Sequence, residues 1–424
     1  MKTRKNLPPA LCCSEIGVVH SLGKAGIPVH SGSFFNDNPA LFSKYVVKKV
    51  HFDDYTSEHF IDELIEYGKQ QKSKAVFISD DDRAILMFSE HREKLEPYFH
   101  FLYPEKHLVQ GLLDKRKFCS LSREYHLPSP ISYFFSNEKE FHAVKDKVPF
   151  PCIIKPAFKQ DWWVPGFTEK VGDYKKAYVC HSLKELEDFF DSVKELSDRA
   201  IIQEYIPGDD ARLYSLNMYI NDQEDIKAIY IAQKKRVYPI GAGTGCYVQT
   251  VEEKDIIDQT SGMVKNLHLK GLVNVQYKVH EETNKPYIME MHVRNSFWNY
   301  LGTAAGMNLP ALYYSDLTGE TVNVNAPTKP DSYKRNVAFI DLGKDIKAFL
   351  QYKKAGEMTF RQWIRTYSGE HVIGGNMLKD PLPIVKNIQF ILNRRLKSKF
   401  KKKVPSDIIP EGHDFNTQPI QSAH

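Results

Sequence analysis

Over the first hundred residues, short apolar runs alternate with segments of helical spacing. Ala10-Leu11-Cys12-Cys13 is an apolar run, and Ser14 to Ala25 reads as a helix closed at Gly26. Pro28-Val29-His30-Ser31 predicts a second strand. A helix opening at Ser57 places Ile61, Leu64 and Ile65 on one face, and Ala75-Val76-Phe77-Ile78 predicts a third strand that runs into Ser79 and three aspartates. Such alternation implies a parallel sheet wound with helices. A helix over about residues 107–126, with Leu112, Leu113, Phe118 and Leu121, is stopped by Pro128 and Pro130. Beyond it the pattern turns strand-rich. Strands are predicted at 151–156, 200–206, 214–220, 226–233, 271–279 and 286–292, with a helix at 182–193 carrying Leu183, Leu186, Phe189 and Phe190. The fold class is therefore α/β: a parallel N-terminal domain, an α+β body of two subdomains, and a partly helical C-terminal extension.

Length and charge refine this picture. The 424 residues predict roughly three domains, which the pattern divides into 1–110, 111–325 and 326–424, with Pro327 and Pro330 marking a linker. The formal net charge of +5 is a property of one decapeptide: without Arg394, Arg395, Lys397, Lys399, Lys401, Lys402 and Lys403 it becomes −2. The body is thus not a basic surface, and no recognition motif accompanies the basic run, so nucleic acid is not an expected partner. No apolar stretch approaches the roughly 18 residues of a membrane span. The six scattered cysteines form no C-x-x-C pair and read as core residues of a reducing compartment. Gly17, Gly23 and Gly26 do not make a dinucleotide fingerprint. A cytoplasmic protein is expected.

Candidate chemistry lies at ordered positions: Lys115 on a helix, Lys155 closing a strand, the segment Gln203-Glu204-Tyr205-Ile206-Pro207-Gly208-Asp209, and two final strands bearing Asn274-Val275-Gln276-Tyr277 and Glu290-Met291-His292-Val293-Arg294. Singly, a strand-end lysine or glutamate reads as a solvated position. In this order, from about residue 8 to residue 325, they resemble the ATP-grasp superfamily of carboxylate–amine ligases. Within it the layout is most similar to the D-aspartate ligase-like branch.

The resemblance implies a site. ATP carries about four negative charges, which lysines on separate elements can meet as point charges; Lys115 and Lys155 would contact the α- and β-phosphates. The loop 157–176 would close over them, with Lys176 able to reach the phosphates. That loop lacks the small-residue composition common in the superfamily, and its Trp162, Trp163 and Phe167 are expected to pack on substrate instead. Glu204, Tyr205 and Ile206 would read the adenine from a strand edge, and Asp209 would bond the ribose, unless Asp209 and Asp210 are turn residues. Gln276 and Glu290 would hold Mg²⁺. His292 departs from the family's E-x-N-x-R pattern: it is a third metal candidate that suits Mn²⁺ better, a phosphate or substrate contact, or a structural histidine. Arg294 and Arg236 would stand where charge develops on the transferring phosphoryl group. The loop Gly241-Ala242-Gly243-Thr244-Gly245 would wrap a substrate or phosphate, or serve as a hairpin loop.

The expected reaction is ATP-dependent amide formation from a carboxylate and an amine through an acylphosphate, on an amino acid or a peptide-type cell-wall precursor. Alternatives are an ATP-grasp enzyme of other chemistry, carboxylation or phosphorylation, and a non-catalytic nucleotide-binding or membrane-peripheral protein. Leu396 and Phe400 interleave the 394–403 charges, so this run reads either as a solvated tail or as a weak contact with the inner membrane face.

Overall fold

A computed structural model describes residues 7–53, 58–156, 162, 166–171, 177–241, 243–324, 327–374 and 379–389. Expected as three blocks, the chain forms two compact units. Residues up to 110, 209–277 and those from 290 to the end of the described chain make the first; residues 111–208 and 278–289 make the second. No unit boundary falls near residue 326.

The first unit opens with five parallel strands, β1 (Ala10–Cys13), β2 (Val29–Ser33), β3 (Val46–His51), β4 (Ala75–Ser79) and β5 (Phe99–His100), in the order β3-β2-β1-β4-β5. β1 and β4 are buried along their whole length, as the apolar runs require of central parallel strands. Strand β3 escapes the hydrophobic pattern because it is an edge, and its Lys48 and Lys49 are exposed there. Strand order reverses direction between β1 and β4, so the loops leaving their C-terminal ends diverge and open a crevice. Ser14 and Glu15 leave one strand there, and Asp80, Asp81 and Asp82 leave the other.

In the second unit the long predicted helix is broken. Lys115–Glu124 starts afresh after Asp114, whose extended backbone (φ −92°, ψ 113°) and carboxylate, accepting from Arg116 N at 2.9 Å, make a helix cap. Four antiparallel strands follow, β6 (Ser132–Phe135), β7 (Cys152–Lys155), β8 (Tyr178–Cys180) and β9 (Ala200–Glu204), in the order β6-β9-β7-β8. Phe135, Cys152, Ile154 and Ile202 turn one face to Phe141, Leu186 and Phe190 of the helices Glu138–Val144 and Leu183–Val193. Trp162 and Phe167 belong to this same core, with ring centroids 5.1 Å apart. They are not a substrate-packing surface: their apolar area is spent on the sheet. Trp163 and Lys176 lie outside the described residues.

The chain then returns to the first unit. A seven-stranded sheet is built from β10 (Leu213–Ile220), β11 (Ile226–Tyr238), β12 (Thr244–Thr250), β13 (Gly271–Val279), β14 (Pro286–His292), β15 (Ala338–Ile340) and β16 (His371–Ile373), in the order β14-β13-β10-β11-β12-β15-β16. The C-terminal region is therefore part of this sheet, with β15 antiparallel to β12 and β16 parallel to β15. The helix Leu342–Lys354 packs on β11 and β12. Strand β11 runs five residues past its predicted end, and its register with β12 slips on both sides of Arg236. The glycine-rich loop is the tight connection from β11 to β12: a Cβ on Gly243 would fall 2.2 Å from Pro239 O, and Gly241 N donates to Asp210 Oδ2 at 2.9 Å.

Candidate functional site

Within the second unit, period-two alternation sorts the strands into two faces. Cys152, Ile154, Ala200 and Ile202 face the core, which leaves Ile153, Lys155, Ile201 and Gln203 on the opposite face. There Lys155 Nζ donates to Gln203 Oε1 at 2.9 Å, and Gln203 Nε2 donates to Ser132 Oγ at 2.8 Å. The helix Lys115–Glu124 covers part of this face through Cys119, which packs on Ile201, the register partner of Lys155. Lys115 lies one turn before Cys119 and is exposed. Helix and sheet thus bring the two expected phosphate lysines to one side of the sheet. At the end of β9, Glu204 is fixed twice to Ile131, its N–H donating at 2.8 Å and its carboxylate accepting at 3.0 Å, while Tyr205 N donates to Pro151 O. Ile206 is buried.

Within the first unit, β10 and β13 share a buried polar layer. Asn274 Nδ2 donates to Ser215 Oγ at 2.8 Å, Leu216 O at 3.0 Å and Asn217 Oδ1 at 2.9 Å. Gln276 Nε2 donates to Ser215 Oγ at 3.2 Å and to Asn274 Oδ1. Both amide hydrogens being committed, the orientation of Gln276 is set, and its Oε1 is buried without a hydrogen-bond partner. A buried acceptor left this way suits an electropositive ligand. Glu290 lies on β14, the sheet neighbour of the β13 that carries Gln276. His292 Nε2 lies 3.4 Å from Glu290 Oε2, and its buried Nδ1 makes no hydrogen bond. Among the described residues, the one trio of His, Cys, Asp or Glu whose ligand atoms converge within 4.8 Å is Asp53, His59 and Glu63, elsewhere on the surface of this unit.

Arg294 reaches the parallel sheet. Its Nε and Nη2 donate to the two Asp82 carboxylate oxygens and its Nη1 to Asn295 O at 3.2 Å. The three aspartates after β4, bland as a run, divide the work. Asp80 accepts from Glu15 N at 2.8 Å, Asp81 caps the helix Asp82–Glu90, and Asp82 holds Arg294. Burial, then the Glu15 charge, push the Asp80 carboxyl up to about 7 against the pull of Arg294. Burial also works to raise Asp82, but Arg294 and His292 outweigh it and hold that carboxyl below its usual range. Sequence reasoning passed over Glu15, Asp80 and Asp82; the signal was their place at the ends of β1 and β4, where strand order reverses.

Arg236 departs from expectation. The bulge in β11 turns it away from the polar layer, and it is buried beside Val237. Its Nε and Nη2 grip Asp345 at 2.7 and 3.0 Å, Nη2 reaches Thr366 Oγ1 at 3.1 Å, and the guanidinium lies 4.3 Å from the Tyr247 ring centroid. Asp209 is exposed, whereas Asp210 accepts from Tyr352 OH at 2.7 Å and from Gly241 N.

A family model described as "ATP-grasp in the biosynthetic pathway with Ter operon" matches residues 197–338. The chain has the ATP-grasp fold. Among its relatives, D-aspartate ligase of Enterococcus faecium (strain Aus0004) is 23% identical over 333 residues, covering 75% of this chain and 77% of that protein. Among solved structures, biotin carboxylase from Campylobacter jejuni in a complex with β,γ-ATP superposes with a TM-score of 0.58 at 12% identity, over 78% of this chain and 74% of that one. L-amino acid ligase from Bacillus licheniformis gives a TM-score of 0.53 at 14% identity, over 74% of each chain. At these identities the structural likeness speaks for the ATP-grasp fold.

Proposed function

We propose that this ATP-grasp protein joins a carboxylate to an amine, with ATP cleaved to ADP and phosphate. The observation that carries the reading is the orphaned Gln276 Oε1, buried on β13 in the polar layer with Ser215 and Asn274; β13 is the sheet neighbour of the β14 that carries Glu290. The substrate carboxylate attacks the γ-phosphorus of ATP, the bond to the β,γ-bridging oxygen breaks, and ADP leaves. An amine nitrogen then attacks the acylphosphate carbonyl, phosphate departs, and the amine proton passes to solvent or to a nearby carboxylate. Chemistry of this kind asks the protein for positioning and charge stabilisation rather than a nucleophile.

In this reading Lys115, Lys155 and Lys176 take the α- and β-phosphates, Glu204, Tyr205 and Ile206 line the adenine, and Asp209 meets the ribose. Gln276 and Glu290, with His292 beside them, would hold Mg²⁺ or Mn²⁺, which supplies charge neutralisation at the phosphates. Arg294 faces the charge that develops on the transferring group. The acids at the ends of β1 and β4 favour a cationic amine, and the raised Asp80 carboxyl has most to gain from one. An amino acid or a peptide-type precursor is the substrate class that fits, in a cytoplasmic protein whose basic run at 394–403 touches an anionic membrane surface.

An ADP-release screen of amino acids against carboxylates, with Mg²⁺ and Mn²⁺ compared, tests the reading. Release that needs both a carboxylate and an amine is expected, and Lys155→Ala should weaken ATP binding by about 2 kcal/mol, roughly thirtyfold. Release that ignores the amine would indicate carboxylation or phosphorylation, and tight ATP binding with no turnover a non-catalytic role.

A further inference from the structure

The C-terminal part of the first unit carries apolar surface that the reaction does not use. On the helix Leu342–Lys354, Leu342, Ile346 and Leu350 recur every fourth residue, and on the helix Phe360–Arg365 so do Phe360 and Ile364. All five are between 41% and 58% exposed. Single exposed leucines are ordinary, but five on two packed helices form a patch. Phe349 stacks on Trp363 at 4.7 Å between ring centroids and meets Phe360 at 6.1 Å, so Phe360 joins the two stripes. The inner sides are pinned: Asp345 accepts from Arg236, Trp363 Nε1 and Tyr367 OH, and Tyr352 OH donates to Asp210. Loss of an outer side chain should leave this packing intact.

Charge selects what covers the patch. Lys347, Lys353, Lys354, Arg361 and Arg365 are exposed on the same two helices, against Glu357 in the turn between them. A second copy would set this cationic rim against itself, and the chain's own 394–403 segment brings seven more cations. A bilayer with anionic headgroups takes both features, with apolar side chains entering the headgroup boundary and lysines and arginines meeting lipid phosphates. We propose that the face formed by the helices Leu342–Lys354 and Phe360–Arg365 docks this protein on an anionic lipid surface. The proposal is independent of the ligase reading, and it adds to the 394–403 contact a folded surface that does not need it.

Flotation of the purified full chain with vesicles of phosphatidylcholine alone, or of phosphatidylcholine with phosphatidylserine, tests it. Binding to the anionic vesicles only is expected. Leu350→Asp combined with Phe360→Asp should lower the bound fraction about tenfold or more, with an unchanged thermal unfolding midpoint as the folding control. Lys353→Glu combined with Lys354→Glu should weaken binding through the rim while leaving the stripe intact. A chain ended after residue 389 should still bind. Wild-type protein that ignores phosphatidylserine overturns the proposal, as does an aspartate variant that floats like the wild type. A truncated chain that no longer binds would move the contact to the tail and equally overturn it. So would a wild-type dimer that the aspartate pair dissociates, because the patch would then belong to a second copy.

Discussion

Arg236 and Arg294 each grip one aspartate through Nε and Nη2, Asp345 in one case and Asp82 in the other. The side chains of the first pair are 2% and 0% exposed, those of the second 19% and 40%. Around Arg236, Thr366, Trp363 and Tyr367 close a shell in which each polar atom of Asp345 is used. Around Arg294, His292 and Glu290 leave a charged, accessible edge. Identical bonding therefore sits in opposite settings: a guanidinium sealed by hydrogen-bonded neighbours holds a sheet and a helix together, and the other is bound at an open, charged rim.

The largest effect should come from breaking the sealed pair. Asp345→Ala strands a buried guanidinium together with the Trp363 and Tyr367 donors, and should cost about 3–5 kcal/mol in urea unfolding. Combining it with Arg236→Met should recover only part, because those two donors still lack their acceptor. Next, Arg294→Ala should lower the rate of ADP release about a hundredfold, near 3 kcal/mol, while moving the unfolding midpoint little, since its partner sits at the solvent edge. Gln276→Leu keeps volume but removes the orphaned oxygen. Its metal requirement for half-maximal activity should rise about tenfold, with ATP affinity at saturating metal nearly unchanged. The last effect is a slope. Folded protein keeps the Asp80 proton up to about pH 7, whereas the unfolded chain releases it near pH 4. Native stability should therefore fall as pH rises across that window, and Asp80→Asn should flatten the fall in urea melts taken near pH 5 and pH 7.5.

Much of the fold was legible because burial wrote it into the period. The continuous apolar runs of β1, β4, β7 and β9, and the strands β13 and β14, announce themselves by their side chains alone. Strand β3 did not, since Val46-Val47-Lys48-Lys49-Val50-His51 is an exposed edge whose lysines mask the alternation. The three-residue strands β15 and β16 are too short for any period; β15 exists because β12 offers it a partner, and β16 because β15 does. The break at Asp114 was readable in principle, as an aspartate followed by a helix with its charge on Arg116.

The site divides the same way. Lys155 closes β7, and Gln276 and Glu290 lie within β13 and β14, strands that the alternation predicts; Arg294 follows β14 by two residues. Arg236 was misread because its fate depends on a bulge and on Asp345, 109 residues away. Trp162 and Phe167 were misread because a loop aromatic gives no sign of whether it faces ligand or core. Glu15, Asp80 and Asp82 mean little until topology brings β1 beside β4.

The most direct test of the central claim is to measure ADP release and urea unfolding side by side for Arg294→Ala and Arg236→Met, using a carboxylate and amine that support turnover. A stable, slow Arg294→Ala enzyme is expected, beside a destabilised Arg236→Met enzyme whose folded fraction turns over at the wild-type rate. A stable but inactive Arg236→Met enzyme, or an Arg294→Ala enzyme with full activity, would contradict that claim.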